Sequence, residues 1–268
     1  MQSFGWLRPR SVEEAAEALG NLEDPKLISG GMTLIPTLKQ DLAAPSDLID
    51  LGAVPGLAGI SVEGDRLVIG AMTRHADVAA SPIVREKILA LAVLAGGIGD
   101  PAVRRRGTIG GSVANADPAA DYPAGVLGLD AEVVTNERVI PADDFFVDLF
   151  ETALGATEIV TAVRFRIPDQ AHYIKFPHPV SGYAVVGLMV ARLGNKVRVS
   201  VTGAGSHAFR VNEMEAALEA SFKPEAVAGI IVDPDELMGD MHCSAGYRSH
   251  VLGVLAKRAV AAIASPRP

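Results

Sequence analysis

The sequence has a single cysteine, Cys243, in 268 residues. One thiol cannot form an intrachain disulfide, and it cannot supply the four thiolates that hold an iron–sulfur cluster. Aromatic residues are also scarce, at 5%, so any core has to be built mainly from Ala, Val, Leu and Ile. Redox chemistry that needs an iron–sulfur cluster would therefore have to take place on another chain.

A surplus of basic residues and long apolar runs are also missing. The net charge is −8 and the isoelectric point is near 5.3, which argues against nucleic acid because phosphate binding needs a basic surface. No run reaches the ~18 apolar residues of a membrane span, and the first ten residues lack the apolar centre of a signal peptide. With 49% hydrophobic residues, the composition predicts a soluble, cytoplasmic globular protein.

The first 52 residues alternate helix and strand patterns. Ser11, followed by Glu14 and an Ala/Leu pattern, fits a capping box that begins a helix. The other predicted elements are a strand at 26–29, a turn at Gly30–Gly31, a short helical segment at 33–40 broken by Pro36, and a strand at 47–51. These elements predict a small α+β unit.

A second unit is predicted from 53 to a boundary at about 168. Thr73 is placed to cap a helix at 74–81, and a longer helix follows at 83–95. The segment 96–123 predicts a 28-residue loop, long enough to be functional or disordered, and its composition argues against disorder. Strands are then predicted at 125–135, 137–140 and 158–168.

The last hundred residues have a different predicted order of elements, in which two strands are followed by helical segments. Residues 182–205 predict two antiparallel strands joined at Gly194–Asn195, a turn-forming dipeptide. Helical segments follow at 211–221, 224–231 and 244–264. We therefore expect domains at 1–168, with subdomains at about 1–52 and 53–168, and at 169–268.

Two double-glycine turns are the first candidate site. They lie in SGGMT (29–33) and GTIGGS (107–112). Backbone N–H groups at a glycine turn can cradle an anion because no Cβ blocks its approach. Two such turns, about eighty residues apart, suit the two phosphates of one dinucleotide, although paired glycines also mark ordinary turns.

Other motifs offer alternatives. In NADPAADYP (115–123), Asp117 and Asp121 could bind ribityl or ribose hydroxyls, or could simply cap a helix. GAGSHA (203–208) is a weak dinucleotide fingerprint that follows a strand meander instead of a βαβ unit. Ser112 in GGSVA could act as a hydrolase nucleophile. No His pair has the spacing of a helical metal site, and the run Arg104–Arg106 fits a solvated surface, a phosphate contact or a partner contact.

Three segments in this order resemble the FAD-binding medium subunit of the molybdenum hydroxylases, the group of carbon monoxide dehydrogenase, xanthine dehydrogenase and aldehyde oxidase. They are SGGMTLIP, DPAVRRRGTIGGSVANADPAADYP and HCSAGYRSHVLGVLAKRAV. The resemblance implies an α+β fold with two FAD-binding subdomains of the vanillyl-alcohol oxidase type. A C-terminal domain with a three-stranded antiparallel sheet and helices would follow.

The resemblance also implies the residues that bind FAD. Both glycine motifs would lie around the pyrophosphate, Asp121 near the ribityl chain, and Ile98 in an apolar contact. Val160, Lys175 and Tyr183 would lie at the flavin end. The full set is Ser29, Gly30, Gly31, Met32, Thr33, Ile98, Thr108, Ile109, Gly110, Gly111, Ser112, Asp121, Val160, Lys175 and Tyr183, with no catalytic residue and no metal ligand.

The function implied by the resemblance is electron transfer. A large molybdopterin subunit would oxidise the substrate, and a small subunit with two [2Fe–2S] clusters would pass the electrons to the FAD of this chain. The flavin would then reduce an external acceptor, within a heterotrimer that forms a dimer of heterotrimers. A stand-alone FAD oxidoreductase, a hydrolase that uses Ser112 and a cofactor-free scaffold remain as alternatives.

Three residues depart from the family pattern. Met32 and Thr33 stand where the family commonly has His or Gln followed by Ser, and Gly246 stands where it usually has Glu. Backbone donors at Met32 and Thr33 would be unaffected by these changes, whereas any side-chain contact there would differ. Gly246 could loosen a contact at a helix end or between subunits.

Overall fold

The computed structural model describes residues 2–265, and its first unit is a three-stranded parallel sheet with two helices. Its elements are β1 (Gly5–Leu7), α1 (Val12–Asn21), β2 (Pro25–Ile28), α2 (Leu34–Lys39) and β3 (Asp47–Asp50), and the strand order is β1–β3–β2. The predicted cap of α1 is confirmed, since the Ser11 hydroxyl accepts from the Glu14 N–H at 3.2 Å. Pro36 lies in the first turn of α2 and does not break it, because the ring is tolerated there.

The second unit contains a five-stranded antiparallel sheet and a small hairpin. The strands are β4 (Ile60–Glu63), β5 (Arg66–Gly70), β6 (Glu132–Thr135), β7 (Val139–Pro141), β8 (Phe146–Asp148), β9 (Glu151–Thr152) and β10 (Val160–Arg166). The sheet order is β4–β5–β10–β6–β7, and β8 pairs with β9. The register of β10 against β6 shifts between Val160 and Ala162, a bulge of the kind that redirects side chains near sites.

Six short helices cover this sheet. They are α3 (His75–Ala80), α4 (Pro82–Lys87), α5 (Leu89–Gly96), α6 (Pro101–Arg106), α7 (Ile109–Asn115) and α8 (Tyr122–Gly128). The predicted 28-residue loop was wrong, because most of it forms α6, α7 and the start of α8. The predicted helix at 83–95 is divided at Ile88, which has the non-helical angles φ −143° and ψ 74°. The strand predicted at 125–135 is shorter, since its first residues belong to the fully buried α8.

Thr73 does not cap the helix that follows it, which contradicts the prediction. The cap residue of α3 is Arg74. The Thr73 hydroxyl instead accepts from the Gly59 N–H at 3.0 Å and donates to the Gly59 carbonyl at 3.1 Å. Because both bonds cross to another segment, no local sequence pattern indicated them.

The C-terminal unit is an antiparallel sheet backed by a long helix. Its elements are β11 (Gln170–Pro177), β12 (Ala184–Leu193), β13 (Lys196–Thr202), β14 (Phe209–Arg210), α9 (Asn212–Ala220) and α10 (Ala245–Ala264), with the strands in chain order. The predicted turn at Gly194–Asn195 is confirmed between β12 and β13. The fourth strand, β14, adds two residues to the expected three-stranded sheet.

Strand β12 is buried on both faces, which explains its continuous apolar sequence. Leu188 and Val190 pack into a core with α10, whereas Met189 and Ala191 pack into the core of the second unit. A Cβ on Gly128 of α8 would lie 2.6 Å from the Met189 side chain, so the helix approaches this sheet closely. The C-terminal sheet thus forms part of the frame that positions the segment before α8.

Candidate functional site

A cavity of about 810 Å³ lies where the three units meet. Its walls come from 26–34 in β2 and the loop after it, from 98–121 around α6 and α7, and from Ile159 and Val160. The flap, which we define as residues 178–183 between β11 and β12, completes them. A volume of this size is in the upper part of the range for small-molecule and cofactor sites. The cavity is therefore the principal candidate for the site.

The first glycine loop, Ser29–Thr33, presents unused backbone donors. Gly31 has φ +70°, a left-handed conformation that glycine adopts without a steric penalty. Among the described residues, no acceptor is found for the N–H groups of Gly30, Gly31, Met32 and Thr33. Four consecutive free donors beside a cavity form an anion-binding loop.

The second loop, Thr108–Ser112, does not offer free N–H groups, although both double-glycine turns were expected to do so. Its N–H groups are already used, because Gly110 N–H donates to the Ala71 carbonyl at 2.8 Å and Gly111 N–H to the Thr108 hydroxyl at 3.2 Å. The Thr108 hydroxyl in turn donates to the Ser29 hydroxyl at 3.2 Å. This loop therefore joins the first loop and offers the side chains of Thr108 and Ser112 to the cavity.

The glycines are needed mainly for contact within the protein. A Cβ on Gly30 would lie 2.2 Å from the Arg106 carbonyl oxygen, and one on Gly110 would lie 2.5 Å from the Ala71 Cβ. A Cβ on Gly111 would lie 2.5 Å from the Ser29 hydroxyl. The missing Cβ atoms of Gly30 and Gly110 thus allow protein segments to touch, and that these glycines also clear space for phosphates stays a prediction.

Asp121 lies in a closed ion-pair cluster. Its carboxylate is 4% exposed, accepts from the Tyr173 hydroxyl at 2.5 Å and lies 2.9 Å from the Lys175 ammonium. Burial raises the pKa of Asp121, and the Lys175 charge and Tyr173 hydrogen bond oppose that rise. Lys175 also donates to the carbonyls of Gly97 at 2.8 Å and Gly182 at 2.9 Å. The ammonium therefore connects α5, α8, β11 and the flap.

His75 packs against the second loop from inside. The residue is 4% exposed, and its ring centroid lies 5.4 Å from that of Tyr122. Its backbone N–H donates to the Gly107 carbonyl at 3.0 Å. Burial, with a smaller contribution from the Arg104 charge, lowers the pKa of His75 to about 4. The imidazole is thus neutral at physiological pH and adds no charge to the cavity wall.

The structure brings thirteen of the fifteen predicted site residues to the cavity wall. The other two, Ile109 and Lys175, do not line it: Ile109 is fully buried in the core, and Lys175 is held by its three acceptors. Sequence reasoning missed several wall residues, among them Lys26, Met72, His75, Ile159 and Gly182. Only their position in space brings them together, and no local motif marked them.

The alternatives lack the geometry that they need. Ser112 lies inside α7, not on a sharp turn between strand and helix. The segment after β13 leads into β14 in the same antiparallel sheet, so GAGSHA does not form a βαβ unit. Within residues 2–265, no cluster of three possible metal ligands is present, and no helix in that part of the chain is both long and apolar enough for a membrane span.

Glu158 supports the wall beside Ile159 and is the basis of a pH prediction. It is 5% exposed and accepts from Arg138 at 3.0 Å, Thr135 at 2.7 Å and Gly155 N–H at 2.9 Å. The Arg138 hydrogen bond is the main cause that lowers the pKa of Glu158 to about 2. Glu158→Gln should lower the free energy of unfolding by about 2–3 kcal/mol near pH 7, as for hydrogen bonds to a charged group.

The difference in the free energy of unfolding between wild type and Glu158→Gln should shrink as the pH is lowered. A lowered folded pKa gives stability that is present above the unfolded value of 4.5 and lost as the pH falls toward about 2. Denaturant unfolding at a series of pH values measures this difference, with exposed Glu151→Gln as the matched control. A gap between wild type and Glu158→Gln that stayed constant down to about pH 2 would contradict the assignment.

Comparison with known proteins agrees with this geometry. The family described as "FAD binding domain in molybdopterin dehydrogenase" matches residues 2–169. The carbon monoxide dehydrogenase medium chain of Hydrogenophaga pseudoflava is 36% identical over 96% of both chains, and the nicotine 6-hydroxylase medium subunit of Paenarthrobacter nicotinovorans is 35% identical over 97% of both. A solved carbon monoxide dehydrogenase from H. pseudoflava superposes with a TM-score of 0.87 and 33% identity, covering 98% of this chain and 97% of that one.

Proposed function

The chain belongs to the FAD-binding medium subunits of the molybdenum hydroxylases, and we propose that the cavity between its two glycine loops holds FAD. The observation that carries this proposal is the run of four N–H groups at Gly30–Thr33 that have no acceptor within residues 2–265. These donors suit a pyrophosphate, whose oxygens are hydrogen-bond acceptors with negative charge. Thr108 and Ser112 line the same cavity from the second loop.

The flavin ring is proposed to lie at the flap end of the cavity. Tyr183 offers a half-exposed aromatic side chain there, and Ile98 and Val160 offer apolar surface. A planar, largely apolar ring fits such walls. The adenosine part of the cofactor would then lie against other residues of the wall, among them Lys26 and Leu51.

Within this family the chain is one part of an electron-transfer complex. FAD, when bound, would supply an electron carrier between the [2Fe–2S] clusters of a small partner subunit and an external acceptor. A large molybdopterin subunit oxidises the substrate. The residues of this chain would bind the cofactor, orient it and shield it.

Purification tests both the cofactor and the partners. The protein should be yellow, with absorbance near about 450 nm from bound flavin, and should co-purify with a large and a small chain that carry molybdenum and iron. Colourless protein that takes up no added FAD would refute flavin binding. Yellow protein that turned over a substrate of its own without partners would instead favour a stand-alone oxidoreductase.

We further propose a cytoplasmic location, domains at 1–168 and 169–268, and assembly as a dimer of heterotrimers. The division near 168 is supported by the gap between β10 and β11 and by the range 2–169 matched by the family.

Gly246 lies in the first turn of α10, and no heavy atom of the described residues lies within 4 Å of a Cβ added to it. A larger residue at position 246, such as the Glu that is usual in the family, would therefore meet no clash with the described residues of this chain.

A further inference from the structure

We propose that Asp117 is the carboxylate of this chain whose unpaired charge faces the bound flavin and sets its midpoint potential. The inference rests on the proposed function, with the flavin ring at the flap end of the cavity. It adds a residue to the site that the family resemblance did not supply.

Asp121 does not present an unpaired charge to the flavin, because its carboxylate forms an ion pair with Lys175. Its Oδ1 receives the Tyr173 hydroxyl and lies 2.9 Å from Lys175 Nζ, while its Oδ2 lies 3.2 Å from the same ammonium. The side chain is almost completely buried. An ion pair closed in this way is a structural link, and its charge is neutralised locally.

Asp117 differs from Asp121 in its exposure and in its ion pairing. Its side chain lines the cavity and is only partly buried. Oδ1 accepts from the Ala119 N–H at 2.9 Å, and no Lys, Arg or His among the described residues lies within ion-pair distance. One carboxylate oxygen is therefore left without a protein partner beside the cavity, and the negative charge has no counter-ion.

The C-terminal sheet fixes the position of this carboxylate. The Thr202 hydroxyl oxygen lies 2.8 Å from the Pro118 carbonyl oxygen and 2.6 Å from that of Ala120, and its one proton is shared between them. Gly203 N–H also donates to the Pro118 carbonyl at 2.6 Å. The backbone that follows Asp117 is thus held through the carbonyls of Pro118 and Ala120. A charge on so rigid a support acts on the ligand as a fixed, preorganised field.

The sign of the effect follows from electrostatics. Two-electron reduction, with electrons from the partner's clusters, adds negative charge to the flavin unless protons fully compensate it. A nearby unpaired carboxylate disfavours that added charge in a partly desolvated cavity. Asp117 should therefore hold the midpoint potential below the value that the same site would give with a neutral side chain.

The effect should depend on pH. Burial raises the pKa of Asp117, and the Ala119 N–H opposes that rise. The charge, and with it the lowering of the potential, is present above this pKa and disappears as the pH falls through it. The other titratable groups around this end of the cavity are His75, Asp121, Tyr122, Tyr173, Lys175 and Tyr183.

The test compares Asp117→Asn with wild type in the full-length, FAD-loaded protein. Asparagine keeps the oxygen that accepts from Ala119 N–H and removes the charge. We expect FAD affinity to change less than about fivefold, whereas the flavin reduction equilibrium shifts at least about tenfold toward the reduced form, or about 30 mV for two electrons. Exposed Asp65→Asn, in the β4–β5 turn, controls for net charge and should leave the potential unchanged.

A potentiometric titration with redox dyes at several pH values decides the outcome. The difference between wild type and Asp117→Asn should narrow as the pH is lowered. Equal potentials at every pH, in a variant that still binds FAD, would overturn the role of Asp117. Failure of the wild-type protein to bind FAD would refute the proposed function instead, so the two failures can be told apart.

Discussion

Gly30→Ala should weaken FAD binding about tenfold to 100-fold and lower the free energy of unfolding by about 1–3 kcal/mol, the range for overpacking. Gly30 does not have a positive φ, so alanine's backbone is permitted and the effect comes from its methyl group alone. That group would lie 2.2 Å from the Arg106 carbonyl oxygen and 2.7 Å from the Gly107 Cα. Because both are backbone atoms, the loops have to separate.

Fluorescence titration of apoprotein with FAD measures the affinity, and denaturant unfolding measures the stability. Gly253→Ala is the matched control, since nothing lies within 4 Å of its added Cβ in α10. It should stabilise the helix by about 0.5–1 kcal/mol and leave FAD binding unchanged. Wild-type affinity and stability in Gly30→Ala would show that the loop contact is not needed.

Lys175→Met should destabilise the protein by about 3–5 kcal/mol, the usual cost of leaving a buried charge without its partner. The change removes the cation from the 4%-exposed Asp121 and the donor from the carbonyls of Gly97 and Gly182. The flap that carries Tyr183 should loosen as well. Because methionine keeps most of the side-chain volume of lysine, the lost stability is electrostatic and does not come from a cavity.

A double-mutant cycle identifies the cause. Asp121→Asn added to Lys175→Met removes the unpaired charge and should recover more than half of the lost stability. Exposed Lys257→Met on α10 should stay within about 0.5 kcal/mol of wild type. A double variant no more stable than Lys175→Met would show that the flap and Gly97 contacts, and not the ion pair, carry the energy.

Much of the fold was predictable because the signals were local. Ser11 caps α1, Gly194–Asn195 turns β12 into β13, and α10 begins after Ser244, whose hydroxyl accepts from the Tyr247 N–H at 3.2 Å. In each case, adjacent residues supply the hydrogen bonds or the backbone freedom. The boundaries of such elements follow from a few neighbouring side chains.

The region from 96 to 128 was not predictable in the same way. Helices α6, α7 and α8 have six or seven residues each, too few for a periodic pattern to stand out. Glycine-rich α7 is held by bonds to the segment that follows β5, such as Gly110 N–H to the Ala71 carbonyl. Helix α8 is buried on every side, so its apolar run resembled a strand.

By itself the sequence determined that this chain carries two double-glycine loops, a single thiol and the order of motifs that identifies its family. Each of these is a property of residue types along the chain. Tertiary structure alone decided that the first loop has the free donors while the second is already bonded, and that Asp121 is paired while Asp117 is not. These assignments depend on partners far apart in sequence, among them Ala71, Tyr173 and Lys175, and folding alone brings such groups within hydrogen-bond distance.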